Sequence, residues 1–122
     1  MELSRSDFLV IGSGLAGLAF SLKAAEFGKV TLVTKDQAQA ANTAWAQGGI
    51  AAVMSEEDSF ESHTYDTMRA GAGLCKEDVV RNYISQAPER IKDLTNWGVH
   101  FDVQSGTDKM DLTREGGHSA RR

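Results

Sequence analysis

Three glycines at G-x-G-x-x-G spacing, Gly12-Ser13-Gly14-Leu15-Ala16-Gly17, follow directly behind the apolar run Phe8-Leu9-Val10-Ile11. A short run that is apolar on both faces and stopped by glycine reads as a fully buried strand of a parallel sheet. Behind it, Leu15, Ala16, Leu18, Ala19, Leu22 and Ala25 suit a helix packed closely on a sheet, with Gly28 placed to end it as a left-handed cap. A second strand is expected at Val30 to Thr34. Strand, helix and strand within about 30 residues make one βαβ unit, residues 5–35, whose crossover is right-handed almost without exception. The fold class is α/β.

Each glycine in this turn has a separate physical use. Gly12 permits the tight bend, Gly14 lets the backbone approach a pyrophosphate, and Gly17 lets helix and strand pack closely, while the helix start offers unpaired N–H groups to an anion. The plainer alternative is that the three glycines only make a loop, but the strand and helix around them favour a dinucleotide site. Such sites usually add an Asp or Glu about 20 residues on, to bind a ribose hydroxyl. Here the second strand ends Thr34-Lys35-Asp36. Either Asp36 serves one step later, or Lys35 lies along the adenosine side and meets a phosphate or base edge. The missing acid argues against a nicotinamide cofactor.

Residues 36–50 carry many small and polar side chains and no clear period, which marks a loop with a function. Glu56-Glu57-Asp58 then opens a helix near Ser59, since acidic side chains favour a helix N-terminus. That helix is expected to last to the Gly71-Ala72-Gly73 break, with polar faces that suit a surface position. Val80, Ile84, Ala87, Ile91 and Leu94 lie on one face of a further helix, with Pro88 predicting either a kink or two helices and Gly98 the stop. The helical segment is thus 56–98. In the strand and loop segment 99–122, Val99 to Val103 and Met110 to Thr113 flank a turn at Ser105-Gly106-Thr107-Asp108 and predict a short hairpin.

Composition narrows the partners. The formal charge is −4, the wrong sign for a dedicated nucleic-acid binder. Cys75 is the single cysteine, so no intrachain disulfide can form, and the reducing cytoplasm is the expected compartment. Cys75 itself reads as a small buried hydrophobe. Lys23 and Glu26 interrupt the richest apolar region, so no membrane span is expected, and the start lacks the pattern of a signal peptide.

Four segments together resemble the L-aspartate oxidases, flavoproteins of the succinate dehydrogenase and fumarate reductase family. They are Asp7-Phe-Leu-Val-Ile-Gly-Ser-Gly-Leu-Ala-Gly17, Val33-Thr-Lys35, Asn42-Thr-Ala-Trp-Ala-Gln-Gly-Gly-Ile50 and Leu112-Thr-Arg-Glu-Gly-Gly-His118. The resemblance implies an incomplete Rossmann-type FAD-binding domain, a βαβ unit with added helices and a short hairpin. It implies that Ser13, Gly14, Leu15, Ala16 and Lys35 contact the ADP part of FAD. It also implies that Asn42, Thr43, Ala44, Trp45, Ala46, Gln47, Gly48 and Gly49 wrap the pyrophosphate and isoalloxazine end. In the plain reading, 36–50 is a surface loop and Trp45 covers apolar surface. In relatives that bind flavin covalently a His precedes Thr43-Ala-Trp-Ala-Gln47; Asn42 has no nucleophilic ring nitrogen, so the FAD is expected to be noncovalent.

Glu115 is implied to orient L-aspartate by pairing with its ammonium, a group that succinate and fumarate lack. The plainer reading is a solvated Glu paired with Arg114, Arg121 or Arg122; His118 is open in the same way, and His63 and His100 carry no motif. The implied reaction oxidises L-aspartate to iminoaspartate with oxygen or fumarate as acceptor, the first step of de novo NAD biosynthesis, with quinolinate synthase as a partner. Family members place the catalytic Arg and further ligands beyond Arg122, so the chain is expected to be an N-terminal portion without the catalytic base. An apolar edge at Phe8 to Ile11 and weak FAD binding by the isolated piece are expected to follow. The alternatives are a succinate dehydrogenase or fumarate reductase flavoprotein fragment, which Asn42 and Glu115 disfavour, and a non-catalytic dinucleotide-binding module.

Overall fold

A computed structural model describes residues 4–46 and 49–122. The chain divides into two compact units, one within residues 4–46 and the other Gly49–Arg122.

The first unit is the βαβ arrangement. Strand β1 (Phe8–Ile11) leads into helix α1 (Leu15–Ala24) and then strand β2 (Val30–Val33), which pairs parallel to β1 with Phe8 opposite Val30 and Ile11 opposite Val33. Because side chains alternate across a strand, Phe8 and Val10 share one face. That face meets α1: the Phe8 and Phe20 rings meet edge to face at 6.4 Å, and Val10 lies against Gly17. Val10 is accordingly 8% exposed. Leu9 and Ile11, on the other face, are 64% and 83% exposed, so among the described residues β1 is covered on one side only. This corrects the fully buried strand that its composition predicts.

Helix α1 stops at Ala24, and Gly28 is not left-handed. The cap assignment to Gly28 is therefore wrong, and its glycine has another cause. A Cβ there would sit 2.7 Å from an Asp7 carboxylate oxygen, the same oxygen that accepts the Lys29 N–H at 2.8 Å. Asp7 thus closes the turn into β2, and only glycine leaves it room. A single helical turn, α2 (Asn42–Trp45), follows in the 36–50 loop, with Trp45 78% exposed. Among the described residues, Trp45 is therefore not buried against apolar surface.

The second unit is built on helices α3 (Phe60–Ala70) and α4 (Glu77–Asn96), which pack together. Ser59 caps α3 by accepting the Ser62 N–H at 3.0 Å. The expected surface position of α3 is corrected on one face, where His63, Thr64 and Asp66 are buried. Helix α4 runs through Pro88 as one helix rather than two. Proline removes one ladder hydrogen bond, but Ile84 before it and Ile91 and Leu94 after it are all buried on the same stripe. Tertiary packing of that stripe keeps the element whole.

Gly98 ends α4 as expected: its φ is +94°, its N–H donates to Thr95 O at 3.0 Å, and Val99 N–H donates to Leu94 O at 3.0 Å. These two bonds are the Schellman arrangement, which satisfies the last carbonyls of the helix. Ile91 and Leu94 pack on Ala52, which is 1% exposed, and Met54, Ala87, Phe101 and Met110 surround this core. The predicted hairpin reduces to one antiparallel bridge, Val103 with Met110. Gln104 N–H to Lys109 O and Asp111 N–H to Asp102 O are the bonds beside it, and no strand forms on either side. Cys75 is only partly buried, with its Sγ beneath Gly71, where a Cβ would collide with it.

Candidate functional site

In the first unit, the parallel pairing brings the carboxyl ends of both strands to one edge. Gly12 N–H donates to Val33 O at 2.8 Å, so the glycine turn and Thr34-Lys35 leave the sheet side by side. The turn conforms to its sequence logic. Gly12 has φ +105°, a conformation that side chains disfavour. A Cβ on Gly17 would run into the Gly12 carbonyl oxygen, so the helix can begin this close to the strand only with glycine there. Ser13 is buried, with its hydroxyl donating to Thr34 Oγ1 at 3.4 Å.

The start of α1 has Gly14 as its N-cap and no side-chain cap. Leu15 N–H donates to Thr43 Oγ1 at 3.2 Å, and the remaining first-turn amides have no capping side chain to satisfy them. A ten-residue helix with an open start, approached by bare glycine backbone, fits a diphosphate. The same hydrogen bond ties the loop residue Thr43 to this turn. Lys35 is exposed at the adjoining strand end. The expected ligands Ala44, Trp45 and Ala46 are exposed in and beside α2; Gln47 and Gly48 lie outside the described residues, and Gly49 begins the second unit.

In the second unit, Glu115 sits on the loop from Leu112 to Arg122. Arg122 N–H donates to Thr113 O at 2.8 Å and closes the loop, while His118 N–H donates to Glu115 O at 3.1 Å and, with Gly117 at φ +88°, makes its turn. The Glu115 carboxylate is exposed and accepts the Thr113 hydroxyl at 3.1 Å. The plain expectation that it pairs with a neighbouring arginine is not met among the described residues. Arg121 donates to Leu112 O, and Arg122 is held elsewhere.

Arg122 is the charged centre of this unit. Its guanidinium is fully buried, donating to Asp58 through Nε and Nη2 at 2.7 and 2.9 Å and to Asp66 Oδ2 through Nη1 at 2.7 Å. Asp66 Oδ2 also accepts the Ser119 N–H and hydroxyl, each at 2.7 Å. The Ser119 amide, aided by Arg122, holds the Asp66 carboxyl well below the usual carboxylate range. Burial works against the charge on Asp58, but Arg122 and the Ser59 N–H outweigh it and its pKa is also lowered.

His63 meets His118 edge to face at 5.7 Å, and the Nδ1 atoms of both rings are buried without a protein partner. Burial, then Arg122 and His118, push the His63 pKa down, which favours the neutral ring. From sequence alone Asp58 reads as a helix-dipole residue, and Asp66 and His63 carry no motif. The available signal was spacing: Ser59, Ser62, His63 and Asp66 form a polar stripe at helical period.

Among the described residues no helix is long and apolar enough to cross a membrane, and no group of side chains is placed to hold a metal ion. Comparison with known proteins gives consistent matches. The chain is 48% identical over 117 residues to the chloroplastic L-aspartate oxidase of Oryza sativa subsp. japonica, covering 95% of this chain and 18% of that protein. It is 49% identical over 120 residues to the L-aspartate oxidase of Vibrio cholerae, covering 95% and 22%. The chain therefore spans about a fifth of the length of these relatives. The solved structure of Mycobacterium smegmatis Sdh1 in complex with UQ1 superposes with TM-score 0.91 at 35% identity, covering 100% of this chain and 21% of that one. These matches and the glycine turn support FAD as the cofactor. A family model described as the FAD binding domain matches residues 7–122, and the chain belongs to that family.

Proposed function

We propose that the chain supplies the FAD-gripping turn and a substrate-orienting loop of an FAD-dependent L-aspartate oxidase. The observation that carries this reading is the exposed Glu115 carboxylate, held by Thr113 and left unpaired by Arg121 and Arg122, in a chain about half identical to L-aspartate oxidases over 120 residues. A carboxylate in this state can meet the substrate ammonium with a charge-assisted hydrogen bond.

In this reading Gly12, Ser13, Gly14, Leu15, Ala16 and Gly17 cradle the diphosphate at the open start of α1, and Lys35 meets the adenosine side. Thr43 anchors its loop to the turn through Leu15. Asn42, Ala44, Trp45, Ala46, Gln47, Gly48 and Gly49 belong to the flavin loop by similarity, and Asn42 makes the attachment noncovalent. When bound, FAD supplies the two-electron acceptor for oxidising the carbon that bears the substrate nitrogen. Glu115 orients the substrate, and the proton-handling and carboxylate-clamping groups lie in sequence other than these residues.

The product is iminoaspartate, with oxygen or fumarate as the electron acceptor, at the start of de novo NAD biosynthesis and with quinolinate synthase as the consuming partner. A cytoplasmic or plastid compartment suits the lone cysteine, Cys75.

The test measures bound flavin, then peroxide from L-aspartate and from succinate, in the holoenzyme that carries this chain and in its Glu115→Gln variant. Expected is turnover of L-aspartate, with a raised KM in the variant. Oxidation of succinate in preference to L-aspartate would move the protein to the succinate dehydrogenase group. Bound flavin with no turnover of either would make it a binding module.

A further inference from the structure

We propose that Asp66 is a positioning residue for Glu115: through Ser119 and Arg122 it pins the Leu112–Arg122 loop to α3 and thereby fixes where the Glu115 carboxylate meets the substrate ammonium. The proposal rests on the reading of Glu115 given above.

Glu115 lies beside Gly116 and Gly117, the least restricted backbone a loop can have. An exposed carboxylate on such a turn samples many positions, whereas discrimination of one substrate group needs a fixed one. Two hydrogen-bonded paths supply the restraint, and both lead from Asp66. In the first, Asp66 and Asp58 hold the Arg122 guanidinium, the Arg122 N–H holds Thr113 O at 2.8 Å, and the Thr113 hydroxyl donates to Glu115 Oε1 at 3.1 Å. In the second, Asp66 Oδ2 holds Ser119 through its N–H and hydroxyl, and the adjoining His118 N–H donates to Glu115 O. Ser62 ties the same two residues, its hydroxyl lying 3.2 Å from Ser119 Oγ and accepting from Arg122 Nη2 at 3.1 Å.

Convergence on one oxygen is what gives Asp66 this place. Asp66 Oδ2 takes three donors at 2.7 Å, two of them from the loop residue Ser119. A buried ion pair contributes little net stability compared with apolar packing of the same volume, so fixed geometry is what this one adds. Gly117 fits the same purpose, since its Cα side lies against α3, where an added Cβ would be 3.6 Å from Ala70 Cβ.

The test uses the flavin-loaded holoenzyme and Asp66→Asn, which keeps the size and leaves the Arg122 pair with Asp58 in place. The neutral amide oxygen lacks the negative charge that holds three donors at 2.7 Å on Asp66 Oδ2, so those bonds weaken together. Expected is a rise of about tenfold in KM for L-aspartate, with kcat changed by less than about twofold and flavin content unchanged. In a Glu115→Ala background, adding Asp66→Asn should change KM by less than about twofold, because the group being positioned is gone. Amide hydrogen exchange should speed up across 112–122 and stay level across 12–17.

An equal KM effect in both backgrounds, or unaltered exchange in the loop, overturns the proposal. If Asp66→Asn fails to fold, Ser119→Ala removes the hydroxyl donor and keeps the N–H, and the same pattern is expected at about threefold in KM; its absence is equally fatal. A wild-type holoenzyme without L-aspartate turnover overturns the functional reading itself, and is recognised before any variant is compared.

Discussion

Replacing Arg122 with Met tests the charge arrangement of the second unit. The thioether side chain nearly matches the volume of the arginine stem, so packing is largely kept while the guanidinium is lost. Four side-chain hydrogen bonds go with it, to two Asp58 oxygens, Asp66 Oδ2 and Ser62 Oγ. Asp58 and Asp66, whose side chains are 0% and 3% exposed, then face each other without a countercharge. Removing one partner of a buried pair costs about 3–5 kcal/mol. At about 1.4 kcal/mol per tenfold change, the opening equilibrium of α3 should rise by about 10² to several times 10³.

The sign of the pH dependence distinguishes the two proteins. In the wild type both carboxyls are lowered below their unfolded values. Their contribution is therefore fully present above about pH 4 and is lost as the pH falls through the folded values. In Arg122→Met the Ser119 bonds to Asp66 and the Ser59 N–H bond to Asp58 remain, but the guanidinium no longer opposes burial, so both folded values rise relative to the wild type. The gap between the proteins should therefore be widest at neutral pH and narrow as the pH falls from neutral toward about pH 4, where the variant's carboxyls take up protons first. The assay is amide exchange of α3 peptides, corrected for intrinsic rates, which reports local opening free energies. A gap below about 1 kcal/mol at neutral pH, or one that stays level across that range, would refute the reasoning.

Two further substitutions address other parts of the structure. Gly17→Ala drives a methyl group into the Gly12 carbonyl, which should cost about 1–3 kcal/mol and weaken FAD binding by about tenfold or more; an unchanged dissociation constant by flavin fluorescence would contradict it. Ser59→Ala removes the acceptor for the Ser62 N–H and should destabilise the first turn of α3 by about 1 kcal/mol, while Ser59→Gly should cost only a few tenths; exchange of the Ser62 amide reads both, and equal effects would exclude the cap.

What could be read from sequence was local. The βαβ unit is legible because Gly12, Gly14 and Gly17 answer to geometry within a few residues, and the stop at Gly98 is legible because a left-handed residue must follow the last helical stripe position. Gly28 misled because the contact that requires glycine is with Asp7, on the preceding strand side. The hairpin misled because only Val103 and Met110 pair across it, while Phe101 packs on the core.

The charged cluster was illegible for a stronger reason. Arg122 lies 56 residues from Asp66 and 64 from Asp58, and each charge alone reads as a solvated side chain. Burial with a partner is a tertiary fact. At the candidate site, the glycine turn was legible, whereas the freedom of the Glu115 carboxylate from its neighbouring arginines became visible only in three dimensions.

The separation of Arg122 from its carboxylate partners also sets an order of assembly. A chain leaving the ribosome completes α3 and α4 before Arg122 emerges, so for that interval Asp58 and Asp66 can remain hydrated. Contacts 56 and 64 residues apart in sequence cost more closure entropy than the nearer contacts between α3 and α4, which places the clamp late in folding. Its loss should accordingly speed unfolding far more than it slows folding. The second unit is thus latched after it is built, and the lifetime of its native state depends on that latch.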